Sequence, residues 1–176
     1  MHPRITAFLN YCRVEKGLSV NTLEAYGRDL AGLARWCSSK LCVLEHLGPE
    51  QLREYLDSRY KAKLSSRSIA RELVSIRSLF LFLMREGVGV ADPTAELAAP
   101  RQWKKLPKFL NLEEVDKLLA APDTTRALGL RDRAMIELLY ATGLRVSELT
   151  RVRTGDLNTE LGVLRTIGKG GKHRLV

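Results

Sequence analysis

The stretch SRSIARELVSIRSLFLFLMREG, residues 66–87, sets the character of the chain. Ile69, Leu73, Ile76, Phe80 and Leu83 recur at spacings of four, three, four and three, the period of one helical face, before Gly87 stops the pattern. A stripe that continuous has to be buried, so the segment reads as a core helix that needs other elements packed against it.

Those elements lie immediately upstream. Pro49 after Gly48 suits a first helical turn, where the missing amide costs nothing, and opens a helix through Leu52, Tyr55 and Leu56 that ends near Tyr60. Asn21 and Glu24 have the spacing of a capping box, after which Leu23, Tyr26, Leu30, Leu33 and Cys37 share one face. Ile5, Phe8, Leu9 and Cys12 stripe the first helix, which Gly17 ends. None of these four amphipathic helices can bury its apolar face alone, so residues 1–90 are expected to form a compact bundle and the chain to be mainly α.

Downstream, VADPTAELAAPRQWKKLPKF (residues 90–109) loses the periodicity. Pro93, Pro100 and Pro107 interrupt any helix, and residues 91–109 read as an interdomain linker. Arg101, Lys104, Lys105 and Lys108 fall in it with no acidic residue from 97 to 112. The stretch is either a solvated connection or a strap lying against phosphates.

Residues 110–176 begin a second unit. Asn111 and Glu114 repeat the capping-box spacing ahead of Val115, Leu118 and Leu119, and Pro122 closes that helix. Asp132 to Tyr140 follows as a helix whose Met135, Ile136, Leu138 and Leu139 suggest burial on more than one side. A tight turn at Gly143 leads to a short helical stretch, Leu144 to Val152. Residues 162–167 and 172–176 then read as two strands around a Gly-rich turn, the start of an unfinished sheet.

At 176 residues and 45% hydrophobic side chains, the chain can bury one core or two small ones. Lysine and arginine number 29 against 20 acidic residues, a net charge of +9, which favours a polyanionic partner. The basic excess is 3 over residues 1–99 and 6 over residues 100–176, so the second part is the more anion-seeking. No apolar run approaches a membrane span and the first residues lack a signal-peptide layout, so no membrane partner is expected. Three cysteines without a CxxC pair, Cys12 and Cys37 on apolar positions, read as structural thiols and imply a reducing cytoplasm.

Several groups carry chemical potential. The segment from Gly168 to Lys172 superficially resembles a nucleotide-binding loop, but position 173 is His where that motif needs Ser or Thr. Its glycines instead let a hairpin tip approach a ligand closely while Lys169 reaches forward to bind phosphate or donate a proton. Arg165, Lys169, Lys172 and Arg174 give the last 12 residues four positive charges and no acid, as either a nucleic-acid surface or a solvated hairpin. Arg145 follows Gly143 between Leu144 and Val146, an apolar setting in which a guanidinium must find a carboxylate or an oxyanion. Glu148, three residues on, either orients it for a ligand or simply forms an ion pair with it. Arg67, Arg71 and Arg77 are candidates for contacting DNA, against the plainer reading of a charged helix surface. His173 has no companions at metal-ligand spacing, and no nucleophilic serine elbow is visible.

The ordered series YATGLRVSEL (140–149) and IGKGGKHRLV (167–176) resembles the tyrosine recombinases of the phage-integrase type, specifically their Xer branch. LSVNTLEAYGRDL (18–30) and ADPTAELAAPR (91–101) are similar to the N-terminal region of the same family, so the resemblance covers essentially the whole chain. It implies a four-helix SAM-like core-binding domain (1–90), a basic linker (91–109) and the start of an α+β catalytic domain (110–176). It also implies DNA cleavage and rejoining through a 3′-phosphotyrosyl link, without cofactor or metal. By resemblance Arg145 is a catalytic arginine, Lys169 the hairpin lysine that protonates the departing 5′ oxygen, and Glu148 an orienting carboxylate. Arg67, Arg71, Arg77, Arg101, Lys104, Lys105, Lys172 and Arg174 are carried as DNA contacts. The family's tyrosine nucleophile is expected beyond Val176, Tyr140 being assigned to the framework, so the chain as it stands is expected to be inactive. His173 departs from the acidic or amide residue that many Xer sequences place there. The implied partners are double-stranded DNA bearing a specific recombination site, a tetramer of recombinases on two duplexes, a second recombinase and, in some members, a septal DNA translocase. Chromosome-dimer resolution is the implied role. A DNA-binding or architectural module that breaks no strands is the alternative.

Overall fold

The computed structural model describes residues 2–88, 91–100, 108–168 and 171–176, and the chain divides into two compact units, residues 1–104 and 105–176. Lys169 and the linker residues Arg101, Trp103, Lys104 and Lys105 lie outside the described residues.

The first unit contains α1 (Pro3–Val14), α2 (Val20–Lys40), α3 (Pro49–Lys61) and α4 (Ser66–Arg85), with a single 3-10 turn at Leu44–His46. Ser65 caps α4 by accepting the Ser68 amide at 3.1 Å. All five stripe residues of α4 are buried, together with Leu79 and Phe82, and they meet Ile5 and Phe8 of α1, Leu30 and Leu33 of α2, and Leu52 and Tyr55 of α3 in one core. Cys12 and Cys37 are buried in that core as expected, and Trp36 packs edge-on against Tyr55. The start of α2 differs from the sequence reading. Ser19, in extended backbone, is the cap and accepts the Thr22 amide at 3.4 Å, whereas Asn21 already lies inside the helix. Either side chain can cap, and the extended entry at Ser19 decided between them.

Two carboxylates are buried between these helices. Glu72 of α4 accepts from the Tyr55 hydroxyl and from Arg59 Nε at 3.0 Å. Asp29 of α2 accepts from Arg71 Nε at 3.1 Å and Nη2 at 2.8 Å, and from the Ser75 hydroxyl at 2.8 Å. Burial, then the bond to Glu72, pushes the Tyr55 phenol above its ordinary value. A Cβ on Gly32 would stand 3.0 Å from the Tyr55 hydroxyl, so the glycine is what lets α2 lie this close to the network.

Beyond α4, Thr94 and Leu97 are buried, and Arg77 donates to the carbonyls of both residues. The opening residues of the stretch read as linker are therefore docked on the first unit.

The second unit contains α5 (Leu112–Ala120), α6 (Ala127–Thr142) and the single-turn α7 (Val146–Leu149). They precede a small antiparallel sheet in the order β1 (Leu157–Asn158), β2 (Val163–Ile167), β3 (His173–Leu175). The Asn111 box is formed as expected, each partner accepting the other's amide at 2.8 Å. Helix α6 starts five residues before the expected Asp132. Gly129 is a close-approach glycine inside the helix, since a Cβ there would fall 1.9 Å from the Asp123 carbonyl oxygen. The expected burial of α6 on more than one side is not found: Ile136, Leu138 and Leu139 are half-buried and Met135 and Tyr140 are exposed. The fully buried apolar residues described here are Leu144, Leu149 and Leu164, too small a cluster to cover two sides of a helix. Among the described residues, no helix is long and apolar enough to cross a membrane.

Leu73 is fully buried while Leu81 of the same helix is 56% exposed. Leu73→Ala should therefore lower the unfolding free energy by about 2–5 kcal/mol and Leu81→Ala by less than about 0.5 kcal/mol, as measured by urea denaturation.

Candidate active site

Gly143 ends α6 with φ of 60°, and the chain then drops Leu144 into the small core. This leaves Arg145 in extended backbone (φ −75°, ψ 152°) at the mouth of α7. Glu148, at the third position of that turn, is where a carboxylate can reach back to the first free amide. Its Oε2 accepts the Arg145 N–H at 2.8 Å and its Oε1 accepts Arg145 Nη1 at 2.9 Å. Arg145 is clamped by the same carboxylate through its backbone and its side chain.

A third donor comes from the sheet. Arg174 Nη2 donates to Glu148 Oε2 at 2.9 Å, so a carboxylate only 4% exposed is held by two guanidinium groups and one amide. Those bonds, the Arg145 amide first, bring its pKa from the ordinary 4.5 down to about 2 against the opposing effect of burial.

The apolar surroundings inferred for Arg145 from its neighbours are not what the structure has. Its side chain is 63% exposed, Val146 is exposed, and the buried partner is Glu148. Among the described residues, Nη1 is the one guanidinium nitrogen of Arg145 with a hydrogen-bond partner. The cluster of two arginines and one carboxylate carries an excess positive charge at this surface. The cleft beside Glu148, whose walls include Arg151, Arg165 and His173, measures about 90 Å³. That is far below the ~300 Å³ of small-molecule sites, so this cleft does not enclose a small ligand.

The other expected site residues are distributed unevenly. Lys172 is exposed, and its carbonyl accepts the Gly168 N–H at 2.7 Å, while Lys169 lies outside the described residues. In the first unit Arg67 is exposed on the first turn of α4, Arg71 is bonded to Asp29, and Arg77 to the carbonyls of Thr94 and Leu97. Tyr140, read from sequence as a packed framework residue, is 61% exposed. Sequence reasoning missed the Arg174 bond. The alternation of the strand could have signalled it, but only with the register of the hairpin in hand.

Comparison with known proteins gives the family of the chain. The phage integrase N-terminal SAM-like domain matches residues 5–87, and the phage integrase family domain matches residues 108–176. The chain belongs to the phage integrase family, the tyrosine recombinases. Its sequence is similar to Xer-branch members: it is 43% identical over 178 residues to tyrosine recombinase XerD of Listeria innocua, covering 100% of this chain and 60% of that protein. With tyrosine recombinase XerD of Xanthomonas campestris it is 46% identical over 172 residues, covering 98% and 53%. The chain thus spans between about half and three fifths of the length of these relatives. In fold it is similar to a lambda integrase tetramer bound to a Holliday junction, with a TM-score of 0.76 at 19% identity, over 99% of this chain and 49% of that one. The XerH site-specific recombinase bound to palindromic difH substrate gives a TM-score of 0.72 at 23% identity, over 98% and 52%.

Because the folded pKa of Glu148 lies below its unfolded one, ionised Glu148 stabilises the unit above about pH 4.5, and that contribution fades as pH falls through about 2. The difference in melting temperature between the wild type and Glu148→Gln should be constant above pH 4.5 and shrink towards zero near pH 2.

Proposed function

We propose that this chain is the core-binding region and the first part of the catalytic region of a site-specific DNA recombinase. Strands would be cut and rejoined through a 3′-phosphotyrosyl intermediate, in the service of chromosome-dimer resolution. The observation that carries this reading is the Arg145 guanidinium, 63% exposed yet clamped by a buried Glu148, in a chain of this family.

The chemistry follows from the charge that develops. Attack on a phosphodiester makes the phosphorus pentacoordinate and concentrates negative charge on the non-bridging oxygens. A guanidinium fixed in place beforehand stabilises that charge without reorganising, and Arg145 fills this role. Lys169 protonates the departing 5′ oxygen, which is otherwise a poor leaving group. Glu148 orients Arg145. The tyrosine that attacks is supplied by a part of the recombinase outside these 176 residues.

The likeness to recombinases captured on DNA and on a Holliday junction supports double-stranded DNA with a specific site as partner and a tetramer spanning two duplexes as the working form. A second recombinase and a septal DNA translocase complete the partners of the reading, with the cytoplasm as its place. Residues 1–90 serve as the core-binding domain, residues 91–109 as the basic connection and residues 110–176 as catalytic framework. Arg67 and Lys172, with Arg101, Lys104 and Lys105 of the connection, contribute phosphate contacts.

In the full-length recombinase, a duplex nicked beside the scissile phosphate should trap a covalent protein–DNA adduct. Arg145→Ala should lower its yield at least about 10²-fold while DNA binding persists. Binding without any adduct from the wild type would replace this reading with that of an architectural DNA-binding module. Affinity of the 176-residue chain for duplex DNA should fall steeply with salt, log K against log[salt] losing about 0.9 per phosphate contacted.

A further inference from the structure

The basic residues of the hairpin strands divide by the pleat of the sheet. In the antiparallel register of β2 and β3, Arg174 stands opposite Thr166, while His173 and Leu175 stand opposite Ile167 and Arg165. Residues directly opposite one another share a face. Thr166 is buried and its neighbours Arg165 and Ile167 are exposed, so Arg174 is the β3 side chain on the inward face. That face looks towards α7, where Glu148 waits with its carboxylate, and the 2.9 Å bond is the result. We infer that Arg174 is a positioning residue for the recombination reaction, acting through Glu148 to hold Arg145 in register with the β2–β3 hairpin. The inference deepens the recombinase reading and rests on it.

Two physical effects make Arg174 more than a decoration of the pair. A carboxylate held only by Arg145 could rotate about its side-chain torsions together with that largely exposed guanidinium. With Oε2 bonded to Arg174 and to the Arg145 amide, the carboxylate plane is fixed by strand and helix together, and Oε1 presents one direction to Arg145 Nη1. The second effect is charge. Arg145 and Glu148 alone would be neutral and would attract a phosphate weakly. Arg174 restores a net positive charge while occupying Glu148, so Arg145 is oriented without its electrostatic effect being cancelled. The same connection makes the strand leading out of the Gly168–Gly171 turn part of the support for Arg145.

The decisive comparison is single-turnover cleavage of a nicked duplex at saturating protein, with affinity measured separately, for Arg174→Ala and Arg174→Lys in the full-length recombinase. A positioning role predicts cleavage slowed on the order of 10-fold to 100-fold by Arg174→Ala. It also predicts affinity within about 2-fold of wild type, partial recovery with Arg174→Lys, and little added effect of Arg174→Ala in a Glu148→Gln background. Weakened binding with a salt dependence shallower by about one phosphate, and unchanged cleavage at saturation, would overturn it in favour of a direct DNA contact. The bridge itself is read independently of activity in the 176-residue chain, from the carboxyl carbon shift of Glu148. Its titration midpoint should rise in Arg174→Ala, and an unmoved midpoint would refute the bridge even if cleavage fell. A wild type that binds DNA but forms no adduct defeats the recombinase reading and with it a positioning role in cleavage, while the midpoint still reports on the bridge.

Discussion

A carboxylate withdrawn from water has to be given hydrogen-bond donors, and each unit of this chain is arranged around that requirement. In the first unit Asp29 and Glu72 are buried between α2, α3 and α4 and take their donors from Arg71, Ser75, Tyr55 and Arg59. In the second unit Glu148 is buried at the mouth of α7 and takes them from Arg145 and Arg174. Unpaired, each would be strongly destabilising; paired, each fixes the relative placement of the elements that supply its partners.

The same requirement separates two kinds of arginine that look alike in sequence. Arg71 presents two donors to Asp29, and Arg77 donates to the carbonyls that dock residues 94–97 on the bundle. Both hold the fold of the first unit, and their availability to a ligand is reduced accordingly. Arg145 gives one side-chain donor to Glu148 and keeps a side chain that is mostly exposed. An arginine clamped at one donor and open at the others can meet an oxyanion without first losing conformational entropy. This is the property that the proposed reaction requires of it.

Much of the architecture was legible because helical periodicity is a local property. The stripe from Ile69 to Leu83, the proline at the first turn of α3 and the Asn111–Glu114 box each depend on residues within one or two turns of one another, and each is present in the structure. The misreadings arose where two local signals competed. Asn21 and Ser19 can both cap, and only the backbone entering α2 selects Ser19. The early start of α6 at Ala127 goes with the Asp123 carbonyl lying against Gly129, a contact that spacing does not report. For the same reason the apolar length of α6 indicated burial, although the few buried residues described around it leave Met135 and Tyr140 exposed.

By itself the sequence determined which segments are helical, where the chain changes from an apolar bundle to a more basic second part, and that Arg145 and Glu148 stand three residues apart after a glycine turn. Those are statements about spacing, and spacing survives without a fold. Only the tertiary structure decided that Glu148 rather than Arg145 is the buried partner, that Arg71 and Arg77 serve the bundle, and that Arg174 reaches a carboxylate 26 residues earlier in the chain. Burial and long-range bonding depend on which surfaces meet and in what strand register. A one-residue slip between β2 and β3 would have turned Arg174 outwards and left Glu148 with Arg145 alone.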